Sequence, residues 1–499
     1  MTHTCNLDRV YVLNPDYRLR HDIHRSVLFA VSLASESSSA GWVSFIHPLQ
    51  AAFLSFFTFG RSLGDNLRLL SAFFHREEEQ LAGWVSGFLE NPHSQYTLSP
   101  QGEIWFPKQV LVEADRVGGR LRLDRLEASD FLWRKLDLTG RRLYTGPLQV
   151  TLMLNNRCVA HCRYCYADTS TRVKASLSTE RILALVEEAG DLPVKQFNLM
   201  GGEVFLHREW DVILRRLVER DIAPEFISTK VPLTDGLIDK LRATGYAGVL
   251  QVSLDACDPE ILGELLGVGK SYWEQVWQGL QALDQSGLKY QVATVLTSLN
   301  GNIGTLAAMY TRLCALQHLA DWRIVPVSDS LYKDVADFRK LKLPTSCLKA
   351  LLEHLEQMTT GSPFPVLLGK DLLVRHYHEA DGGSRSFPGK ECSALTSHLF
   401  ILPDGKATIC EQLYWDPRFF IGDASCQSLV EIWDSPRARQ LYDLSRADVS
   451  EQSPCRTCGQ FESCWGYHNR CWADILKAYG AEHWDYPDPR CRFAPKFFR

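Results

Sequence analysis

Residues 148–154, LQVTLML, place an apolar side chain at every second position, the pattern of a β-strand. Helical periodicity follows in STERILALVEEAG, with Ser178 as N-cap, Glu180 in the first turn and Gly190 as the stop. The alternation then repeats. QFNLM, EFIST, GVLQVSLDA, YQVATVLTS and DWRIVPV read as strands, each separated from the next by a helical stretch such as HREWDVILRRLVERD or SYWEQVWQGLQALDQSG. Six strands alternating with helices predict an α/β domain over residues 141–345, with parallel βα units curled into a partial (β/α)6 barrel. A helical bridge is expected over 346–390. In such architectures chemistry gathers where strands end and loops begin.

The flanking regions follow other patterns. In residues 1–140, RVYVLNPDYRLRHDIHRSVLFAV predicts two short strands around Asn14-Pro15-Asp16, or one strand with a ragged extension. Three helices follow in HPLQAAFLSFFTFG, SLGDNLRLLSAFF and EEEQLAGWVSGFLEN, and EIWFPKQVLVE closes the region as a strand. This order predicts a small winged-helix-like α+β domain. The C-terminal region, 391–499, is rich in loops and cysteine and poor in apolar runs. A segment of that kind needs bound metal to hold a fold.

Composition narrows the function. A net charge of −5 offers no basic footprint, which argues against nucleic-acid binding. No apolar run reaches about 18 residues, so no membrane span is expected. The N-terminus lacks the charged-then-apolar layout of a signal peptide, and a cytoplasmic location is expected. In a reducing compartment, clusters among the 15 cysteines read as metal sites before disulfides.

The first cluster is NNRCVAHCRYCYAD, directly after the first core strand, with Cys158, Cys162 and Cys165. A [4Fe–4S] cube is normally held by four thiolates, so three in one loop leave an iron open to substrate or cofactor. Half of a zinc site is the competing reading. The Gly201-Gly202-Glu203 and Ser253-Leu254-Asp255 segments also fall at strand ends. In the C-terminal region, Cys455-x2-Cys458 with Cys464 suits zinc and iron–sulfur about equally by composition.

Taken together these residues resemble a known family. Cys158-x3-Cys162-x2-Cys165, with Tyr164 before the last cysteine, is similar to the radical SAM signature, and the Gly-Gly-Glu and Ser-Leu-Asp-Ala segments accompany it. Cys392, Gly405 and Cys410, then Cys455, Cys458, Cys464 and Cys491, resemble the SPASM extension. The resemblance implies an S-adenosyl-L-methionine (SAM)-binding [4Fe–4S] cluster on Cys158, Cys162 and Cys165, and two auxiliary iron–sulfur clusters. Glu203 would accept from the SAM ammonium. Tyr164, Gly201, Gly202, Ser228, Ser253 and Asp255 would complete the cofactor site. One-electron cleavage of SAM would give a 5′-deoxyadenosyl radical, with flavodoxin or ferredoxin as electron donor.

Two departures stand out. Relatives usually carry a cysteine four places after Cys464, where this chain has His468, with Cys471 three residues on. Cys455, Cys458, Cys464 and Cys491 complete one auxiliary set; Cys392 and Cys410 begin the other, and Cys471 is favoured over His468 as its next ligand. Relatives also often carry an arginine after the Ser-Leu-Asp-Ala segment, where this chain offers Lys270.

Peptide-modifying members of the family often begin with a RiPP recognition element, a small domain that binds the leader of a ribosomally made precursor peptide as an added strand. Residues 1–140 resemble that layout. The implied activity is crosslinking of a precursor peptide through a thioether or carbon–carbon bond. The alternatives are a maturase acting on a folded protein, of the sulfatase or quinohemoprotein type, and a non-catalytic zinc or iron–sulfur electron-transfer protein.

Overall fold

The computed structural model describes residues 6–31, 42–99, 102–121, 123–369, 392–466, 470–491 and 493–496. Packing divides the chain into two compact units, 1–148 with 190–196, and 149–189 with 197–499.

In the first unit the segment expected to form two strands forms three, Tyr11–Leu13, Tyr17–His21 and Ser26–Ala30. A second turn at Asp22–Arg25 adds the extra strand. Tyr17–His21, Ser26–Ala30 and Val43–Ile46 make an antiparallel sheet, with Val43–Ile46 at its edge. The three expected helices follow as Pro48–Ser55, Leu63–Phe74 and Glu78–Ser86. Pro48 stands at the first turn, where its missing N–H costs nothing, and Ser62 caps the second helix by accepting from the Asp65 N–H.

EIWFPKQVLVE does not run as one strand. Pro107 cannot donate to a ladder, and the segment splits into Gly102–Phe106, paired with Gln95–Ser99, and Leu111–Glu113, paired with Tyr11–Leu13. Leu28, Phe53, Phe57, Leu70 and Phe106 close the core. Each such side chain contributes about 1.5–3 kcal/mol by leaving water.

The boundary expected at residue 140 falls after Leu148 in the packing. The reason is a buried polar clamp. Arg25 pairs with Asp22 at 3.2 Å and donates to the Arg142 carbonyl at 2.7 Å, while Asp22 accepts from the Tyr144 and Thr145 N–H groups. Arg20 donates to the Gly146 and Pro147 carbonyls.

In the second unit all six expected core strands form, at Gln149–Met153, Gln196–Met200, Phe226–Thr229, Val249–Ser253, Tyr290–Leu296 and Leu319–Pro326. The last four continue into Val366–Leu368 as a five-stranded parallel sheet. The first two belong to another five-stranded sheet, and here the C-terminal region contributes more than loops. His398–Ile401 pairs parallel with Gln149–Met153, and Lys406–Thr408 and Phe420–Asp423 extend it antiparallel. The strand that launches the cysteine loop is therefore a neighbour of the segment between Cys392 and Cys410.

Candidate active site

Strand Gln149–Met153 is buried along most of its length and delivers Asn155 to the start of the cysteine loop. Asn155 stitches that loop to the next strand's end. Its carbonyl accepts from the Gly202 N–H at 2.8 Å, and its side-chain amide donates to the Glu203 carbonyl at 3.0 Å. Gly201 and Gly202 are there because the two backbones touch. A Cβ on Gly201 would lie 2.8 Å from the Asn155 carbonyl oxygen, and one on Gly202 2.2 Å from that of Arg157. Further along, the His161 and Arg163 N–H groups donate to the Leu266 and Leu265 carbonyls, at the end of helix Pro259–Leu266.

Within this frame Cys162 is buried and Cys158 and Cys165 are half-buried. Burial pushes the Cys162 thiol up to about 12, with Lys230 opposing and Asp255 and the other two thiols adding. Burial pushes the Cys158 thiol up as well, so these two are poor acids alone; a metal centre would supply the positive charge that makes them thiolates. Among the described residues no three His, Cys, Asp or Glu side chains surround a single ion position. A cube's cysteines each take a different iron, so its ligands do not converge on one point.

Glu203 is buried. Its Oε2 accepts from the Lys230 N–H at 2.8 Å, and its Oε1, also buried, has no hydrogen-bond partner among the described residues. Burial pushes its carboxyl upward, against the hydrogen bond from Lys230. A buried acceptor left open at the rim of the cysteine loop fits an incoming ammonium.

Asp255 is placed differently from a free ligand. It is fully buried, and both carboxylate oxygens hold protein donors. Oδ2 accepts from the Tyr164 hydroxyl at 2.5 Å and from Lys230 Nζ at 3.1 Å, and Oδ1 accepts from the Val295 N–H at 2.9 Å. Asp255 therefore fixes Tyr164 and Lys230 and leaves no oxygen unengaged. Ser228 and Ser253 lie on adjacent strands with hydroxyls 3.4 Å apart, and Gln251 donates to Ser228 at 3.1 Å. Ser228 is exposed and Ser253 half-buried. Lys270 stands away from this cluster, 83% exposed and paired with Glu260.

The C-terminal cysteines fall into two neighbourhoods. Cys455, Cys458, Cys464 and Cys491 line one pocket, whose wall also includes Cys392 and Arg470. Arg470 Nη2 donates to Cys455 Sγ at 3.2 Å. Cys410 feels Cys392 and Cys471, with burial pushing its thiol up. His468 lies outside the described residues. Between the loop and this region stands Tyr166, whose surroundings include Glu411, Cys165 and Cys410. Beside it the Tyr414 hydroxyl is buried without a partner among the described residues.

Lys230, Asn155, Tyr166 and Glu411 were not singled out from sequence. Lys230 directly follows strand Phe226–Thr229, so the strand-end rule alone could have flagged it; Glu411 and Tyr166 each adjoin a cysteine but match no spacing.

Comparison with known proteins agrees with this geometry. Residues 152–303 match the model of the radical SAM superfamily, and residues 392–459 match that of an iron–sulfur cluster-binding domain, SPASM. The chain is 24% identical over 360 residues to the PqqA peptide cyclase of Granulibacter bethesdensis, covering 70% of this chain and 88% of that protein. It is 24% identical over 355 residues to the mycofactocin maturase MftC of Mycolicibacterium smegmatis, covering 69% and 83%. Among solved structures, Streptococcus suis SuiB superposes with a TM-score of 0.62 at 15% identity, covering 97% of this chain and 100% of that one. SuiB bound to its precursor peptide SuiA gives 0.61.

Proposed function

From a chain that carries a radical SAM domain followed by a SPASM domain, we propose an enzyme that modifies a ribosomally made precursor peptide, joining two of its atoms in a thioether or carbon–carbon crosslink. The radical SAM domain binds SAM and a [4Fe–4S] cluster, and the SPASM domain binds auxiliary iron–sulfur clusters. When bound, these cofactors supply a carbon radical able to remove one hydrogen atom from the substrate. The chain's own residues do the rest. Glu203 offers its open oxygen to the SAM ammonium, Ser228 and Ser253 offer hydroxyls, and Asp255 holds Tyr164 in place.

The observation that carries the peptide reading is the edge strand Val43–Ile46 in front of three helices. The Ala30 N–H donates to the Trp42 carbonyl at 2.9 Å, so residues 30 and 42 form a hydrogen-bonded pair. By alternation, the Val43 N–H and C=O point away from the sheet, and Val43 is 44% exposed. An extended leader peptide can add there as a fourth strand. The similarity to a peptide cyclase and to SuiB, solved with a precursor peptide, supports the same reading. Electrons would come from a flavodoxin or ferredoxin.

The test is to reconstitute the protein anaerobically with iron and sulfide, supply SAM and reductant, and offer short peptides encoded in adjacent reading frames. A peptide product lighter by two hydrogen atoms supports the proposal. Modification of a folded protein alone sinks it.

A further inference from the structure

We propose that Arg470 is a positioning residue of one auxiliary cluster, its guanidinium held against the Cys455 sulfur so that it favours the reduced, more negative state of that cluster. The inference rests on the reading of Cys455, Cys458, Cys464 and Cys491 as the ligands of one iron–sulfur cluster.

The contact to the sulfur is direct. Arg470 Nη2 donates to Cys455 Sγ at 3.2 Å. A thiolate that binds one iron keeps further lone pairs, so a metal and a guanidinium can share that sulfur. The other arm of the fork is anchored. Arg470 Nη1 donates to the Asp485 carbonyl at 3.2 Å and lies 3.5 Å from that of Tyr486. Carbonyls are neutral, so these bonds orient the fork and leave its charge in place. Arg470 and the four cysteines line one pocket, which puts the guanidinium on the wall of the cavity the cluster would fill. Both Arg470 and Cys455 are half-buried.

The other charges nearby are engaged elsewhere. Arg446 donates to the Arg456 and Cys458 carbonyls at 3.1 and 2.9 Å, and Arg456 to the Val449 carbonyl at 3.2 Å. Those bonds tie the backbone of the Cys455–Cys458 turn. Asp488, a carboxylate on the same pocket wall, accepts from Arg490 Nε at 2.7 Å and from the Cys471 N–H at 3.0 Å. Its charge is thereby matched by an arginine of its own. In the less complete auxiliary set, Cys410 Sγ accepts from the Gln412 N–H at 3.4 Å, a neutral donor.

A cluster gains one negative charge on reduction, and its potential follows the net charge around it and the hydrogen bonds to its sulfurs. A guanidinium brings both to one sulfur, where a backbone amide brings only the hydrogen bond.

The experiment is an EPR-monitored redox titration of reconstituted full-length protein, comparing wild type with Arg470→Met, Arg470→Gln and Arg470→Lys. The signal missing from a Cys455→Ala/Cys458→Ala variant identifies the cluster concerned. Iron content and thermal unfolding show whether each variant is assembled. Arg470→Gln keeps a neutral donor for the sulfur or the carbonyls, so a folding failure of Arg470→Met alone leaves the test intact. We expect this cluster to be about tenfold harder to reduce in Arg470→Met, a fall of about 59 mV for one electron. Arg470→Gln should move the same way by less, and Arg470→Lys should stay near wild type. The SAM-responsive signal and that of the other auxiliary cluster should not move. An assembled Met or Gln variant with an unshifted potential overturns the proposal. Loss of this cluster's iron from all three variants also overturns it, because Arg470 would then only strap the loop. Failure of the underlying reading looks different: the double alanine variant would then keep every auxiliary signal.

Discussion

The α-carbon of Gly202 packs so tightly on the Arg157 carbonyl that a methyl group there would sit 2.2 Å from its oxygen. That contact seals the second strand end to the base of the cysteine loop, so the spacing between Glu203 and the thiols is set by the absence of a side chain.

Gly202→Ala should therefore displace the loop. Overpacking of this kind costs about 1–3 kcal/mol. The expected result is a lower melting temperature together with loss of iron from the SAM-binding cluster, while auxiliary iron stays. Calorimetry and iron counting on the same sample check both halves.

Glu203→Gln removes the charge and keeps the shape. Losing a charge-assisted hydrogen bond to an ammonium costs about 1.5–3 kcal/mol, or roughly 10- to 150-fold in SAM affinity. Wild-type binding should also depend on pH with a definite sign. Burial raises the Glu203 carboxyl, so SAM affinity should climb as pH rises through that elevated value and the carboxylate forms. In the SAM-free protein the same shift works against stability. The folded chain keeps a proton that the unfolded chain has lost, so stability falls over the pH interval between the two values. Equilibrium dialysis with labelled SAM across pH, in wild type and Glu203→Gln, measures the effect. A flat wild-type profile counts against the ammonium contact.

Val43→Pro deletes the one N–H that the edge residue Val43 turns outward, at an exposed position that leaves the core untouched. Precursor binding should weaken by about 1 kcal/mol, close to fivefold, with little change in melting temperature. Fluorescence polarisation with a labelled leader reads the change. Equal affinity in the variant would move leader binding elsewhere.

For the less complete auxiliary set, Cys471→Ala should lose iron and change the EPR of one cluster, whereas His468→Ala keeps both. Cys410 has Cys392 and Cys471 in its surroundings, and thiolate is the commoner ligand. The opposite outcome makes histidine the ligand.

Much of this was legible in the chain. The six core strands were readable because each is short, β-branched or aromatic, and bounded by helical periodicity. The cysteine loop and Glu203 were readable because their chemistry needs fixed spacing at strand ends. Three features were not. His398–Ile401 joins the core sheet through a parallel pairing across more than 240 residues, and local periodicity carries no information about a partner so distant. The clamp of Arg20, Asp22 and Arg25 on residues 142–147 looks in sequence like surface charge, yet it is buried and moves the packing boundary to Leu148. Lys230 reads as an ordinary strand-end lysine until Asp255 and Tyr164, distant in sequence, are brought against it.

In the proposed function, the loop of Cys158, Cys162 and Cys165 generates a radical aimed at a peptide. One measurement tests it most directly: mass spectrometry of a candidate precursor peptide, with 5′-deoxyadenosine quantified in the same anaerobic reaction, for wild type and for the triple Cys158, Cys162 and Cys165 to alanine variant. Wild type should yield a peptide lighter by two hydrogen atoms and a matching amount of 5′-deoxyadenosine. The variant should yield neither, with its auxiliary iron retained. Continued 5′-deoxyadenosine formation by the triple variant would contradict it.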